Sequence, residues 1–207
     1  MTKLKIIIAD NGSSSPTYLK NTKIAKKFAA EIIQISLPTL KSKDPKERDR
    51  RITKGFVLLA EQLLETPSEG FLLLEDDWDC FAYIKLSSLF SFLSQHHEFG
   101  QIRLRNNRYD GSLTGCSSHN FVTKDPIYWV KDYLTNDLNL KSGNLHWTNN
   151  PSFILRQGLK IVAKSHDSEF DLMRSFNTAF PINLQLCPGI FSHSGPWRKR
   201  PDLIAQG

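Results

Sequence analysis

Four carboxylates within five residues, Glu75, Asp76, Asp77 and Asp79, follow directly on the apolar run Phe71-Leu72-Leu73-Leu74. No other feature of the chain restricts its fold as much. A short run with no polar face reads as a strand covered on both sides, hence central in a sheet. Its charged end must then leave the core at once. Unpaired like charges about 4 Å apart repel by roughly 4 kcal/mol at an effective dielectric of 20, so the cluster calls for a cation or several hydrogen-bond donors. A divalent, oxygen-seeking ion, Mg²⁺ or Mn²⁺, meets that need. The alternative is a solvated acidic turn, which gives no reason for acids to gather at the carboxyl end of a central strand.

The segments around this strand alternate in type. Leu4 to Ala9 reads as a buried strand ending at the turn residues Asp10-Asn11-Gly12-Ser13, and Pro16 opens a helix to about Ala30. Glu31 to Ile35 is a second short strand, closed by Pro38. Asp44-Pro45-Lys46-Glu47 starts a helix with Asp as N-cap, Pro at N1 and Glu at N3. Ile52, Phe56, Leu59 and Leu63 give that helix one apolar face, and it ends before Pro67. Leu86 to Phe99 reads as a helix and Gln101 to Leu104 as a strand. Asn106 to Lys124, rich in Gly, Ser, Asn and Thr, reads as a long functional loop. Helical pieces are expected over about Pro151 to Leu159 and Ser168 to Phe176, with strands near Asn144 to Trp147 and Ile182 to Leu186. The alternation predicts one α/β domain over residues 1–207, its largely parallel central sheet flanked by helices. The second half is expected to supply loops over the sheet's carboxyl edge, where open α/β sheets bind ligands.

Charge and cysteine content narrow the function classes. The 27 basic residues outnumber the 21 acidic ones, giving +6, much of it from Lys41 to Arg51 and Arg198-Lys199-Arg200. A basic excess favours anionic partners, and it also fits an ordinary solvated face. No apolar run approaches the ~20 residues of a membrane span, and the N-terminus is too short in apolar residues for a signal peptide. Cys80, Cys116 and Cys187 form no C-x-x-C pair, so neither a disulfide framework nor a zinc finger is expected, and a reducing, cytoplasmic setting is the economical reading. No G-x-G-x-x-G, G-x-x-x-x-G-K-[ST] or G-x-S-x-G occurs, which withdraws support from dinucleotide enzymes, P-loop NTPases and serine hydrolases.

An apolar strand followed by Glu-Asp-Asp-Trp-Asp resembles the D-x-D region of GT-A glycosyltransferases, a Rossmann-like fold. Asp77-Trp78-Asp79 is a literal D-x-D, and Glu75-Asp76-Asp77 matches its E-D-D variant. The registers overlap, so which two acids would touch metal stays open. The favoured assignment gives Asp77 and Asp79 to Mn²⁺ or Mg²⁺, with Glu75 or Asp76 facing ribose or sugar hydroxyls. Ile6 to Ser13 resembles the early strand and turn written V-D-N-G-S, which implies that Asp10 helps read the nucleotide; Asp-Asn-Gly is also a common turn. Phe191-Ser192-His193-Ser194-Gly195-Pro196-Trp197-Arg198 resembles the H-x-G-x-x-K-P-W tail of retaining members. That implies His193 as a metal ligand and Arg198 as a diphosphate contact, although Pro and Trp here precede the basic residue. Trp147 to Phe153 is similar to an N-P-S turn on the acceptor side. Glu169, then Asp171 and Asp167, stand where inverting members carry a general base, while acids in a first helical turn also offset the helix dipole.

The resemblance implies a metal-dependent transfer of a sugar from a nucleoside diphosphate sugar, a UDP-sugar first, to a hydroxyl of a glycan or glycoprotein. Arg51 with Arg198 would offset charge on the diphosphate, and the tail implies a retaining outcome. A metal-dependent nucleotidyl or phosphoryl transferase uses clustered acids equally well. A nucleic-acid-binding module would use the two basic clusters, yet no nucleic-acid motif accompanies them and the acidic turn opposes it.

Overall fold

The computed structural model describes residues 5–10, 14–35, 45–75, 78–105, 127–148, 151–164 and 166–193, with residues 45, 48 and 193 described by their backbone. Among them are five helices and ten strands, mixed α/β as the alternation of segments predicts. The chain divides into two compact units: Met1–Thr66 with Val162–Leu172, and Pro67–Ile161 with Met173–Gly207.

In the first unit, β1 (Ile7–Asp10) and β2 (Glu31–Gln34) pair in parallel, from Ile7 opposite Glu31 to Asp10 opposite Gln34. Parallel neighbours need a crossover, and α1 (Ser15–Lys27) supplies it, with Pro16 in its first turn. The helix stops short of the expected Ala30. Ala29 turns to φ 51°, and the Phe28 and Ala30 N–H groups both donate to the Ala25 carbonyl, a left-handed stop that satisfies the last turn. Helix α2 (Pro45–Leu64) starts and ends as its cap residues and Pro67 predict. Thr53 and Ala60 are buried on it, and Ile52, Phe56, Leu59 and Leu63 are half-buried.

The second unit is built on a six-stranded sheet. Its strands are β3 (Gly70–Leu73), β5 (Gln101–Arg103), β6 (Trp129–Leu134), β7 (Asn139–Gly143), β8 (Ser152–Leu155) and β9 (Asn183–Leu186), in the order β3-β8-β5-β9-β7-β6. Here two expectations are corrected: β3, expected to be central, stands at the edge of the sheet beside β8, and the sheet is not largely parallel, since β5–β9 is parallel and the other four pairings are antiparallel. Two segments cause this. Ser152-Phe153-Ile154-Leu155, expected to be helical, is a fully buried strand inserted between β3 and β5, because its aromatic and β-branched residues fill both faces of the sheet. Helix α4 (Arg156–Val162) begins only after it. Residues 129–143, for which no strand is expected, form the β6–β7 hairpin, while 144–147 stay outside any strand. The Thr135 hydroxyl accepts from the Asp137 and Leu138 N–H groups and closes the hairpin turn.

One face of the sheet packs on α3 (Leu86–Gln95), which ends before the expected Phe99. Leu89, Phe92 and Leu93 meet Ile102, Phe153, Leu184 and Leu140 there in one apolar core. On the other side Gly100 lets aromatic rings close in. A Cβ on it would stand 2.5 Å from the Phe180 ring and 2.6 Å from Phe176. Phe176 belongs to α5 (Glu169–Ala179), whose range matches the expected helix closely. Two strands of three residues each belong to the same unit: β4 (Trp78–Cys80) and β10 (Phe191–His193) pair antiparallel as a separate two-stranded sheet. Cys80 is a free, exposed thiol, whereas Cys187 is disulfide-bonded, which corrects the expectation drawn from cysteine spacing. No helix among the described residues is long and apolar enough to cross a membrane.

Candidate active site

The apolar run and the acids after it part where the chemistry changes. β3 ends at Leu73, Leu74 is already half exposed, and Glu75 is half-buried. Asp76 and Asp77 lie outside the described residues. Trp78 then tucks against the apolar core and Asp79 turns outward, the alternation of a strand.

The partner of that strand comes from the far end of the chain. Phe191 stands opposite Cys80, Ser192 opposite Asp79, and His193 opposite Trp78, while the Phe81 N–H donates to the Ile190 carbonyl. The backbone of His193 therefore lies beside Trp78, and that of Ser192 beside Asp79. The same strand is anchored to the end of β5: Ile190 and Phe191 N–H both donate to the Leu104 carbonyl, and Phe191 bridges Arg105. The side chain of His193, and all of Arg198, lie outside the described residues. Among the described residues, no three His, Cys, Asp or Glu side chains gather in a metal-binding arrangement. The carboxylates of the motif segments are hard oxygen donors that suit Mn²⁺ or Mg²⁺, and an imidazole added to them suits Mn²⁺ better.

The remaining candidates belong to the first unit. Asp10 closes β1, buried, and its Oδ2 accepts from the Asn21 side chain of α1 at 3.2 Å. Beside this strand end is a cavity of about 320 Å³ walled by Ala9 and Ile33 from the strands, Ile35 just after β2, and Leu58 and Leu59 from α2, with Gln34 and Gln62 contributing amides. Arg51 is half-buried on the same helix.

Glu169 and Asp171 open α5 and are held differently. Ser168 caps the helix, its hydroxyl accepting from the Asp171 N–H at 3.1 Å. The Asp171 carboxylate accepts from the Asp167 N–H and stands 3.5 Å from His166 Nδ1, so it is engaged in holding the turn. The Glu169 N–H donates to Asp49 of α2 at 3.3 Å. That brings two carboxylates close, and the Glu169 carboxyl is raised above its ordinary value, first by burial and then by the Asp49 charge. Asp49 is a partner that sequence reasoning missed, since it is one charge in a run of them. The buried arginines at the end of β5 and just beyond it, Arg103 and Arg105, were equally hidden. Alternation of polar and apolar residues in Gln101 to Arg105 reads as a strand with one face in water, and no local signal distinguishes it from a buried polar face.

No protein-family model matches the chain, and no curated protein matches it at a significant level.

Proposed function

We propose that the chain is a metal-dependent glycosyltransferase of the GT-A type that moves a sugar from a nucleoside diphosphate sugar, a UDP-sugar first, to an acceptor hydroxyl on a glycan or glycoprotein. The observation that carries the reading is the β4–β10 pairing, which sets Asp79 opposite Ser192 and Trp78 opposite His193. Two motifs more than a hundred residues apart in the sequence resemble parts of one metal centre, and the backbones of Trp78–Cys80 and Phe191–His193 are neighbours. In this reading Asp77, Asp79 and His193 hold Mn²⁺ or Mg²⁺, and Glu75 or Asp76 accepts from sugar or ribose hydroxyls. The ion, when bound, supplies positive charge to the departing diphosphate. Asp10 accepts from the nucleoside, with the neighbouring apolar cavity and its two amides suited to a flat base. Arg51 and Arg198 add donors for phosphate oxygens.

The tail favours a retaining transfer; for an inverting one, Glu169 is the preferred acceptor-side base over Asp171. Its carboxyl is raised toward working pH, as a general base requires, whereas Asp171 is occupied in the helix cap. The test is turnover of UDP-sugars with Mn²⁺ present or chelated. Asp77→Asn with Asp79→Asn is expected to lower kcat by at least about 100-fold. Unchanged metal-dependent turnover in that double variant would sink the reading. Consumption of NTPs but no nucleotide sugar would replace it by nucleotidyl transfer.

A further inference from the structure

Arg103 is the last residue of β5 and is 2% exposed. Its Nε has no hydrogen-bond partner, and among the described residues no carboxylate pairs with it. Charged side chains are almost never fully buried unless paired. The reason is that the guanidinium gives up its hydration and must recover the loss from an acceptor.

Among the described residues, its neighbours in register on β8 and β9 carry no negative charge. Across the sheet Arg103 is in register with Ser152 of β8 and Gln185 of β9, and laterally paired residues share a face. The row continues through Lys141 to Asp132 on the edge strand β6, where the only acid of the row is 3.9 Å from Lys141. Along β5 the same face carries Gln101 before Arg103 and Arg105 after it. Gln101 is fully buried, and its Oε1 has no partner while its Nε2 donates to the His146 carbonyl. Gln185 spends its Nε2 on the Arg103, Arg105 and Leu186 carbonyls, fixing the end of the strand. Arg105 is buried too, and desolvation pulls it down to about 10. The opposite face of β5, Ile102 and Leu104, belongs to the apolar core. The Arg103 guanidinium is thus buried on a polar face with its Nε unpartnered, which is unfavourable for the protein alone.

We infer that the end of β5 on this face is an oxyanion-binding site, in which the Arg103 guanidinium takes a phosphoryl or carboxylate group of a ligand as a paired donor. A guanidinium fork matches both groups in geometry. The two sources are the diphosphate of a nucleotide and the carboxylate of an acidic sugar. The inference needs no glycosyl transfer and no metal, so it stands or falls separately from the proposed activity.

The experiment is thermal unfolding and titration calorimetry in EDTA, with inorganic pyrophosphate in one arm and D-glucuronate in the other. For wild-type protein, stabilisation by pyrophosphate assigns the phosphoryl source and stabilisation by glucuronate the carboxylate source. Arg103→Met is expected to unfold no lower than wild type without ligand, since an apolar isostere removes an uncompensated buried charge. It should weaken the effective anion at least roughly 30-fold. Arg103→Lys keeps the charge and loses the fork, and should bind several-fold more weakly with an unchanged midpoint. No response of wild type to either anion, or an equal response in Arg103→Lys, overturns the site. Marked destabilisation of Arg103→Met overturns it as well, because the guanidinium would then be structural.

Discussion

Glu169 lies beside Asp49, and the cost of that closeness sets a dependence on pH. Its folded-state carboxyl binds a proton more readily than the unfolded one, so the folded protein holds more protons between the ordinary carboxylate range and the raised value. Stability must therefore fall as pH rises through that window. Glu169→Gln removes both the desolvation and the repulsion. We expect its unfolding midpoint to exceed that of wild type at neutral pH, and the fall across the window to disappear from a series of thermal melts. In the proposed role the same change should lower kcat by about 10²- to 10⁴-fold, with the acid limb of the wild-type pH–rate profile lying above the ordinary carboxylate range. Stability and activity then move in opposite directions, an outcome that a purely structural Glu169 would not produce. Asp171 carries the opposite expectation: it secures the start of α5, so its loss should be felt first in stability.

At the scale of elements, the contact of β5 with the rings behind it is decisive for the second unit. Gly100→Ala would place a methyl group 2.5 Å from the Phe180 ring and 2.6 Å from Phe176, and neither ring has a flexible end to swing away. We expect a loss of about 1–3 kcal/mol, read as a lower urea midpoint with an unchanged m-value. Elements announced by local chemistry were legible in the sequence. Pro45 and Pro67 bracket α2, Ser168 and two acids open α5, and the apolar run marks β3 to within a residue. What escaped was decided by distant partners. Ser152 to Leu155 carries an apolar pattern short enough for helix or strand, and only the vacancy between β3 and β5 makes it a strand. β4 and β10, three residues each, exist because they find one another. The same logic separates the site residues: the motifs are visible as sequences, while Asp49 near Glu169 and the buried face of Arg103 are visible only in the fold.

For the molecule as a whole, the surplus of positive charge and the dense acidic turn pull in different directions, and under the proposed function a diphosphate with its cation would satisfy both. A nucleoside diphosphate with Mn²⁺ is expected to raise the unfolding temperature more than either alone. At a hundred times its dissociation constant it should contribute about 2.7 kcal/mol. Comparing uridine, guanosine and adenosine diphosphates in the same thermal shift measurement identifies the donor class, and equal small shifts without metal would count against the proposed centre.

The first compact unit is not continuous along the chain: Val162–Leu172 completes what Met1–Thr66 begins. A ribosome therefore delivers its two parts far apart in time. At 5–20 residues per second, the opening segment waits roughly 5–20 s for the closing one to emerge. Throughout that interval the half-buried face of α2 and the β1–β2 pair lack the buried side chains of Val162 and Leu172. We therefore expect the newly made N-terminal segment to be held by chaperones that bind exposed apolar surface, and a chain halted before residue 162 to be degraded rather than stored as a folded fragment.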